Sequence, residues 1–232
     1  MAPLISVIIP AWNEEDRLPG TLLAIERACR ARSDMRCEVI VVDDGSTDGT
    51  AAAALPRADR VLQMPRNQGK GAAMHAGWQA ASGSVILFLD ADLGETADQF
   101  PRLLEPLLRG EADLVIAMLP PAVKRGGIGL VKKLAKHGVQ ALCGLTPAAP
   151  LSGQRAVRRE VLERCGRRSF QGFGVEVGML IDTVKMGYRV SELEVPFAHR
   201  ETGRDWRGWL HRGKQCLAVG RALWRCWRKP VC

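Results

Sequence analysis

Short β-branched and aliphatic runs at residues 4–9, 38–42, 60–62, 85–89 and 113–117 alternate with helical patterns through the first half of the chain. A strand that is apolar on both faces needs cover above and below, and a helix between successive strands supplies it. The alternation therefore predicts an α/β fold with a mostly parallel sheet flanked by helices. Helices are expected at 14–31, with Leu18, Leu22, Leu23 and Ile25 on one side, at 69–81, stopped by Ser82-Gly83, and at 97–109. Ligand sites in such sheets lie at the carboxyl ends of the strands.

Those ends are acidic. The second run passes directly into Val42-Asp43-Asp44-Gly45-Ser46-Thr47-Asp48-Gly49, and the fourth into Asp90-Ala91-Asp92. Adjacent carboxylates repel unless something uses them. Asp43 and Asp44 can accept hydrogen bonds from a base or a ribose, or form an Asx-rich turn that caps the next helix. Asp90 and Asp92, separated by one small residue, suit a hard divalent cation whose remaining positions go to water and diphosphate oxygens; the alternative is a solvated loop. Asn67-Gln68-Gly69-Lys70-Gly71 places a lysine at a helix start, either as an anion contact or as a glycine-loosened turn. Its spacing is not that of a Walker A loop.

The rhythm loosens after Met118. A helix at 130–143, a strand at 151–157, a helix at 175–186, an alternating strand at 189–195 and a final helix at 206–227 are expected. Charge divides at the same point. Up to Met118 there are 11 Lys and Arg against 17 Asp and Glu; beyond it there are 22 against 8. The second half should seek anions.

The seven cysteines contain no CxxC pair, so neither a disulfide framework nor a zinc ribbon is indicated, and a reducing, cytoplasmic setting fits. No export signal and no spanning run of about 18 apolar residues is read. The expected layout is one domain over 1–200 with a basic helical appendage at 201–232.

In their order, Val7-Ile8-Ile9-Pro10-Ala11-Trp12-Asn13-Glu14-Glu15, Val42-Asp43-Asp44-Gly45-Ser46-Thr47-Asp48, Asn67-Gln68-Gly69-Lys70-Gly71 and Asp90-Ala91-Asp92 resemble family-two glycosyltransferases. The likeness covers the first half and reaches about residue 200 through Ser152-Gly153-Gln154-Arg155 and Glu194-Val195-Pro196. It is similar above all to the branch of dolichol- and polyprenyl-phosphate sugar transferases and glucosyl-3-phosphoglycerate synthases.

The resemblance implies a GT-A fold, a nucleotide-diphosphate sugar donor, Mn²⁺ or Mg²⁺, and inversion at the anomeric carbon. It assigns Pro10, Ala11, Trp12 and Glu14 to the nucleoside, with Asp44 reading the base and Asp43 beside it. Asp90, Ala91 and Asp92 would address ribose and metal, and Lys70 the phosphates. Trp12 stands where tyrosine is usual; it can stack on a base or simply pack. Gly94 and Ala117-Met118-Leu119 depart from the pattern of lipid-phosphate members; Lys124 and Arg125 can restore the missing charge, or simply be solvated loop cations. His199 would be a third metal ligand, which favours manganese, and Arg200 a phosphate contact. Glu176 is the candidate base; it can equally be an acid favoured by the helix dipole.

The tail from 199 to 232 holds nine Lys and Arg against Glu201 and Asp205, interleaved with Trp206, Trp209, Trp224 and Trp227. That composition fits an interfacial helix on an anionic membrane, or a helix packed on the sheet with its basic face in water. No nucleic-acid motif accompanies the charge. The chemistry then reads as transfer to a lipid-phosphate acceptor; transfer to a soluble phosphorylated or hydroxyl acceptor, or nucleotide-sugar binding without catalysis, are the alternatives.

Overall fold

A computed structural model of the chain describes residues 2–120, 129–165, 174–198 and 206–228, with the side chains of 206–214 outside the description. Seven strands form one sheet: β1 (Leu4–Ala11), β2 (Arg36–Asp43), β3 (Arg60–Gln63), β4 (Val85–Phe88), β5 (Leu114–Met118), β6 (Arg155–Arg158) and β7 (Val190–Glu194). Their spatial order is β3-β2-β1-β4-β6-β5-β7. Every pairing is parallel except those of β6, which runs antiparallel to both β4 and β5.

The interior strands β1, β4 and β5 are apolar over most of their length because both sheet faces are covered there, whereas the edge strands β3 and β7 are only part-buried and carry polar residues. Ile5, Val7 and Ile9 of β1 face one core with Val39, Val41, Val85 and Leu87, under α1 (Leu18–Arg30) and α4 (Pro101–Leu108). Ile8 faces the opposite core with Ile40, Val42, Ile86 and Phe88, under α3 (Lys70–Ala80), α5 (Leu130–Cys143) and α7 (Gly174–Lys185). Successive side chains on a strand point to opposite faces, so one strand feeds two cores. Each fully buried Ile, Leu or Phe contributes roughly 1.5–3 kcal/mol.

Several boundaries differ from the sequence expectation. The first helix starts at Leu18 rather than residue 14, because Asn13 and Glu14 donate their backbone N–H groups to Ser46 Oγ and Thr50 Oγ1 at 2.9 and 2.8 Å. Those bonds hold the end of β1 on the loop after β2, and Asn13 takes φ 56°. The helix expected at 97–109 divides into a 3-10 turn over Gly94–Gln99 and α4, since Pro101 has no N–H to continue the ladder. The strand expected at 151–157 is shortened to β6. A short α2 (Thr50–Ala54) and an unanticipated α6 (Arg159–Cys165) complete the first 165 residues.

The last helix, α8 (Trp206–Arg228), packs on α7 and α5. Among its described side chains Val219, Ala222 and Cys226 are buried, and Lys185 donates from Nζ to the Cys226 carbonyl at 3.0 Å. Gly138 of α5 admits it: a Cβ there would lie 2.4 Å from Leu223 Cδ1.

Candidate functional site

Because β1, β2 and β4 are parallel, their carboxyl ends share one edge of the sheet. β6 is antiparallel, so its amino end lies at that same edge, with Arg155 opposite Phe88. The topology thus sets residues 152–154 beside Asp90, although more than sixty positions separate them in sequence.

At the β1 end Pro10 is half-buried, Ala11 is buried opposite Asp43 in register, and Trp12 is exposed at 53%. An indole in that position is open to a planar ligand. The Glu14 carboxylate pairs with Arg17 at 3.0 Å, and Glu15 Oε2 accepts the Gly49 N–H at 2.6 Å.

At the β2 end both aspartates are buried. Asp43 Oδ1 accepts the Ser46 N–H at 2.9 Å, the Asx turn among the sequence readings. Asp44 reaches further: its two oxygens accept the Gln68 and Gly69 N–H groups at 2.8 Å each. Gly45 makes this approach possible, since at φ 66° a Cβ there would lie 2.4 Å from the Arg66 carbonyl carbon. Asp44 therefore fixes the loop that delivers Lys70, and each oxygen retains a second lone pair.

Lys70 opens α3 and turns its amine onto Asp90 Oδ1 at 2.5 Å. Gln154 Nε2 donates to Asp90 Oδ2 at 2.5 Å, and Ser152 Oγ donates to Gln154 Oε1 at 3.1 Å, which fixes the orientation of the amide. Asp90 is thus held at both oxygens. Asp92 is half-buried, and among the described residues no side chain hydrogen-bonds its carboxylate. The intervening Ala91 is buried and its carbonyl accepts from Thr21 Oγ1 at 2.8 Å; the same hydroxyl accepts the Gly94 N–H at 2.9 Å. Thr21, fully buried on α1, clamps the turn that carries both acids.

Beneath Lys70 lies a buried charge layer. Glu176 begins α7 as expected but is sealed from solvent, 3.8 Å from Lys70 Nζ, and among the described residues neither carboxylate oxygen has a hydrogen-bond partner. Burial pushes its carboxyl above the usual range, against the pull of Lys70 and Arg155. Arg155 is wholly buried. It donates from Nε and Nη2 to the Ser152 carbonyl and from Nη1 to the Glu176 carbonyl at 2.9 Å. Burial lowers its pKa to about 10, with Glu176 and Asp90 opposing, so it stays cationic at neutral pH. For Lys70 burial favours the neutral amine, but Asp90 and Glu176 outweigh it and the pKa is raised.

Divalent-cation chemistry fits what is open here. Asp92 offers hard oxygen donors, and Asp90 is placed to accept from a sugar hydroxyl or to lend a second oxygen. One or two carboxylates with water and diphosphate oxygens meet the needs of Mg²⁺ or Mn²⁺. Among the described residues no cluster of three or more His, Cys, Asp or Glu forms a closed metal cage. His199, Arg200 and Arg125 lie outside the described residues.

Sequence reasoning did not single out Thr21 or assign a role to Gln154. Thr21 is a lone threonine in an amphipathic helix and carries no local signal. Gln154 stands two residues after Ser152 in the segment that carried the weaker likeness, but nothing in spacing says that it faces Asp90.

The model of a family described as glycosyl transferase family 2 matches residues 6–166. The chain is 33% identical over 217 residues to an undecaprenyl-phosphate 4-deoxy-4-formamido-L-arabinose transferase of Aeromonas hydrophila, covering 90% of this chain and 64% of that protein. It is 33% identical over 213 residues to a polyprenol monophosphomannose synthase of Mycolicibacterium smegmatis, covering 85% and 78%. The chain thus spans a little under two thirds of the Aeromonas relative. A crystal structure of glucosyl-3-phosphoglycerate synthase from Mycobacterium tuberculosis, with Mn²⁺, UDP-glucose and phosphoglyceric acid, superposes with a TM-score of 0.78 at 32% identity. It covers 95% of this chain and 78% of that one. The same synthase is also solved with Mg²⁺ and UDP.

Proposed function

Because this chain belongs to glycosyl transferase family 2 and carries the GT-A fold, we propose that it transfers a sugar, with inversion, from a nucleotide-diphosphate sugar to a phosphate-bearing acceptor, and that a polyprenyl phosphate is that acceptor. One observation carries the reading: at a single sheet edge Asp90 is held by Lys70 and Gln154, while among the described residues no side chain hydrogen-bonds its half-buried neighbour Asp92. That division leaves one carboxylate of the pair able to take a cation.

In this reading Trp12 covers the base, Asp44 and Asp43 accept from it, and Pro10, Ala11 and Glu14 line the nucleoside. Asp90 accepts from the ribose and Asp92 holds Mn²⁺ or Mg²⁺, with His199 as a further ligand. When bound, the cation neutralises charge that builds on the departing diphosphate. Lys70 adds fixed positive charge near the departing diphosphate, and Arg125 and Arg200 are the further phosphate contacts that the family resemblance implies. An acceptor oxygen bonds to the anomeric carbon from the opposite face as the bond to the diphosphate oxygen breaks, and that electron pair leaves with the nucleoside diphosphate.

A phosphate acceptor is already anionic near neutral pH and needs no base. Glu176 then serves as the buried countercharge that keeps Lys70 protonated and placed; for a hydroxyl acceptor it is the candidate base. Glu176→Gln separates the two: with Asp90 still holding the Lys70 amine, transfer to a phosphate should fall by about tenfold at most, whereas transfer to a hydroxyl should be abolished.

The polyprenyl reading draws on the Aeromonas and Mycolicibacterium relatives, and a soluble phosphorylated acceptor on the similarity to the synthase. Asp92→Asn tests the core of the proposal. With Mn²⁺ and a panel of donors starting from UDP-glucose, the wild type should form product on one of the two acceptors. The variant should lose at least about a hundredfold in rate, and in calorimetry its Mn²⁺-dependent nucleotide binding. Equal inertness of both proteins across the panel, or binding without turnover, refutes catalysis.

A further inference from the structure

The buried side of α8 faces α7 and α5 through Ala218, Val219, Ala222 and Cys226. Leu217, Arg221, Trp224 and Arg228 stand at helical spacings of 4, 3 and 4 on the side away from it, and all four are exposed. Leu217 is 62% exposed, Trp224 53% and Trp227 68%, and the Arg228 guanidinium lies 4.7 Å above the Trp224 ring. This is an apolar surface that the packing of the domain does not use.

α5 extends it. Leu130, Leu134 and Gly138 form one row on that helix, and Gly138 is where Leu223 of α8 packs. The row thus runs outward from the α5–α8 contact to two exposed leucines, with exposed Lys133 on the same outer half of the helix. Neither α5 nor the 215–228 part of α8 contains an acidic residue. Aromatic and leucine side chains accompanied on their own two helices by cations and by no acid complement a surface that is apolar within and anionic at its boundary.

We infer that the exposed face shared by α8 and α5 docks on an anionic lipid bilayer. Trp224, Trp227, Leu217, Leu130 and Leu134 enter the headgroup boundary, and Arg221, Arg228 and Lys133 meet lipid phosphates. The surface stands on its own residues. Its connection to catalysis rests on the proposed function: a Cβ on Gly174 would lie 2.9 Å from the Ala218 carbonyl oxygen, so α8 runs against the turn of α7 that carries Glu176. The docked face is then about one helix diameter, roughly 10 Å, from that turn, and a lipid-borne phosphate arrives beside the site.

Flotation of the whole chain, without nucleotide, metal or acceptor, tests the inference. The protein should rise with vesicles of equal parts phosphatidylglycerol and phosphatidylcholine, not with phosphatidylcholine alone, and less at high salt. Arg221→Gln with Arg228→Gln should weaken partitioning by roughly thirtyfold. Trp224→Ser with Trp227→Ser should abolish it with an unchanged circular dichroism spectrum and melting point, since both indoles are exposed. Absence of flotation, equal flotation on neutral vesicles, or wild-type flotation by the tryptophan variant overturns the inference. So does a dimer in light scattering that this variant dissociates, which would make a second copy the occupant. A negative result leaves the donor assay standing, because these vesicles carry no substrate; an inert Asp92 comparison leaves the docking result standing.

Discussion

Gly153 is the position where a single methyl group should separate function from stability. A Cβ at that residue would lie 2.2 Å from Lys70 Nζ and 2.9 and 3.2 Å from the two Asp90 oxygens. Ordinary contact begins near 3.4 Å, so in Gly153→Ala the amine must retreat by about 1.2 Å and the carboxylate by several tenths. Both intruding atoms are the far ends of side chains, each somewhat more than a quarter exposed, so they can swing aside at little cost to folding. The pair they form is another matter. A charge-assisted hydrogen bond contributes about 1.5–3 kcal/mol, and water at this half-open site replaces part of that. An ångström of misplacement in a positioned group costs up to about a hundredfold in rate. We therefore expect kcat/KM for the preferred donor to fall by about ten- to a hundredfold while the unfolding free energy changes by less than about 1 kcal/mol. Steady-state kinetics beside urea denaturation reads both. Retention of kcat/KM within twofold, or a loss of stability as large as the loss of activity, would show that the Lys70–Asp90 contact does not matter in the way argued.

Other perturbations probe the scaffold. Thr21→Val removes the hydroxyl that bridges the Ala91 carbonyl and the Gly94 N–H, and leaving buried partners unmet should cost about 1–3 kcal/mol; Mn²⁺-dependent nucleotide binding should weaken with it, measurable by calorimetry. Gly138→Ala drives a methyl into Leu223, so α8 should loosen, costing about 1–3 kcal/mol and lowering Tm by about 2–4 °C for each kcal/mol; an unchanged melt would mean that α8 contributes little to the fold. The hydrogen bonds from Arg189, with burial opposing, hold the Asp113 carboxyl below the usual carboxylate range. Its stabilisation is therefore present above the unfolded pKa of about 3.9 and is lost as pH falls through the depressed folded value. Asp113→Asn should lower stability at pH 7 by about 1–2 kcal/mol, discounted for the exposure of Arg189, and flatten the fall in Tm below about pH 4; an unaltered acid limb would refute the assignment.

The fold was legible in residues 4–117 because parallel strands buried on both faces must be apolar along their whole length, and the helices between them must show one apolar side. Local composition states both conditions. The acids at the ends of β2 and β4 were legible for a related reason: a carboxylate at the point where an apolar run stops has no core to enter. What the sequence by itself determined is this α/β frame and the presence of Asp43, Asp44, Lys70, Asp90 and Asp92 at the carboxyl-end edge of the sheet, where the candidate site lies.

Only the tertiary structure decided which partners those groups take. Antiparallel β6 inserts between β4 and β5, and this long-range pairing brings Gln154 and Gly153 to Asp90; no local pattern encodes which strands become neighbours. Packing of α7 buries Glu176 behind Lys70, whereas its place in a first helical turn argued equally for a surface acid. Thr21 gained its role from the closure of α1 on the 90–94 turn. For α8, the composition of the tail left membrane contact and packing on the domain as alternatives; the helix does pack, and its packing turns Leu217, Arg221, Trp224 and Arg228 outward. Periodicity registers which residues share a face, but the direction in which that face points is set by contacts with residues far away in the chain.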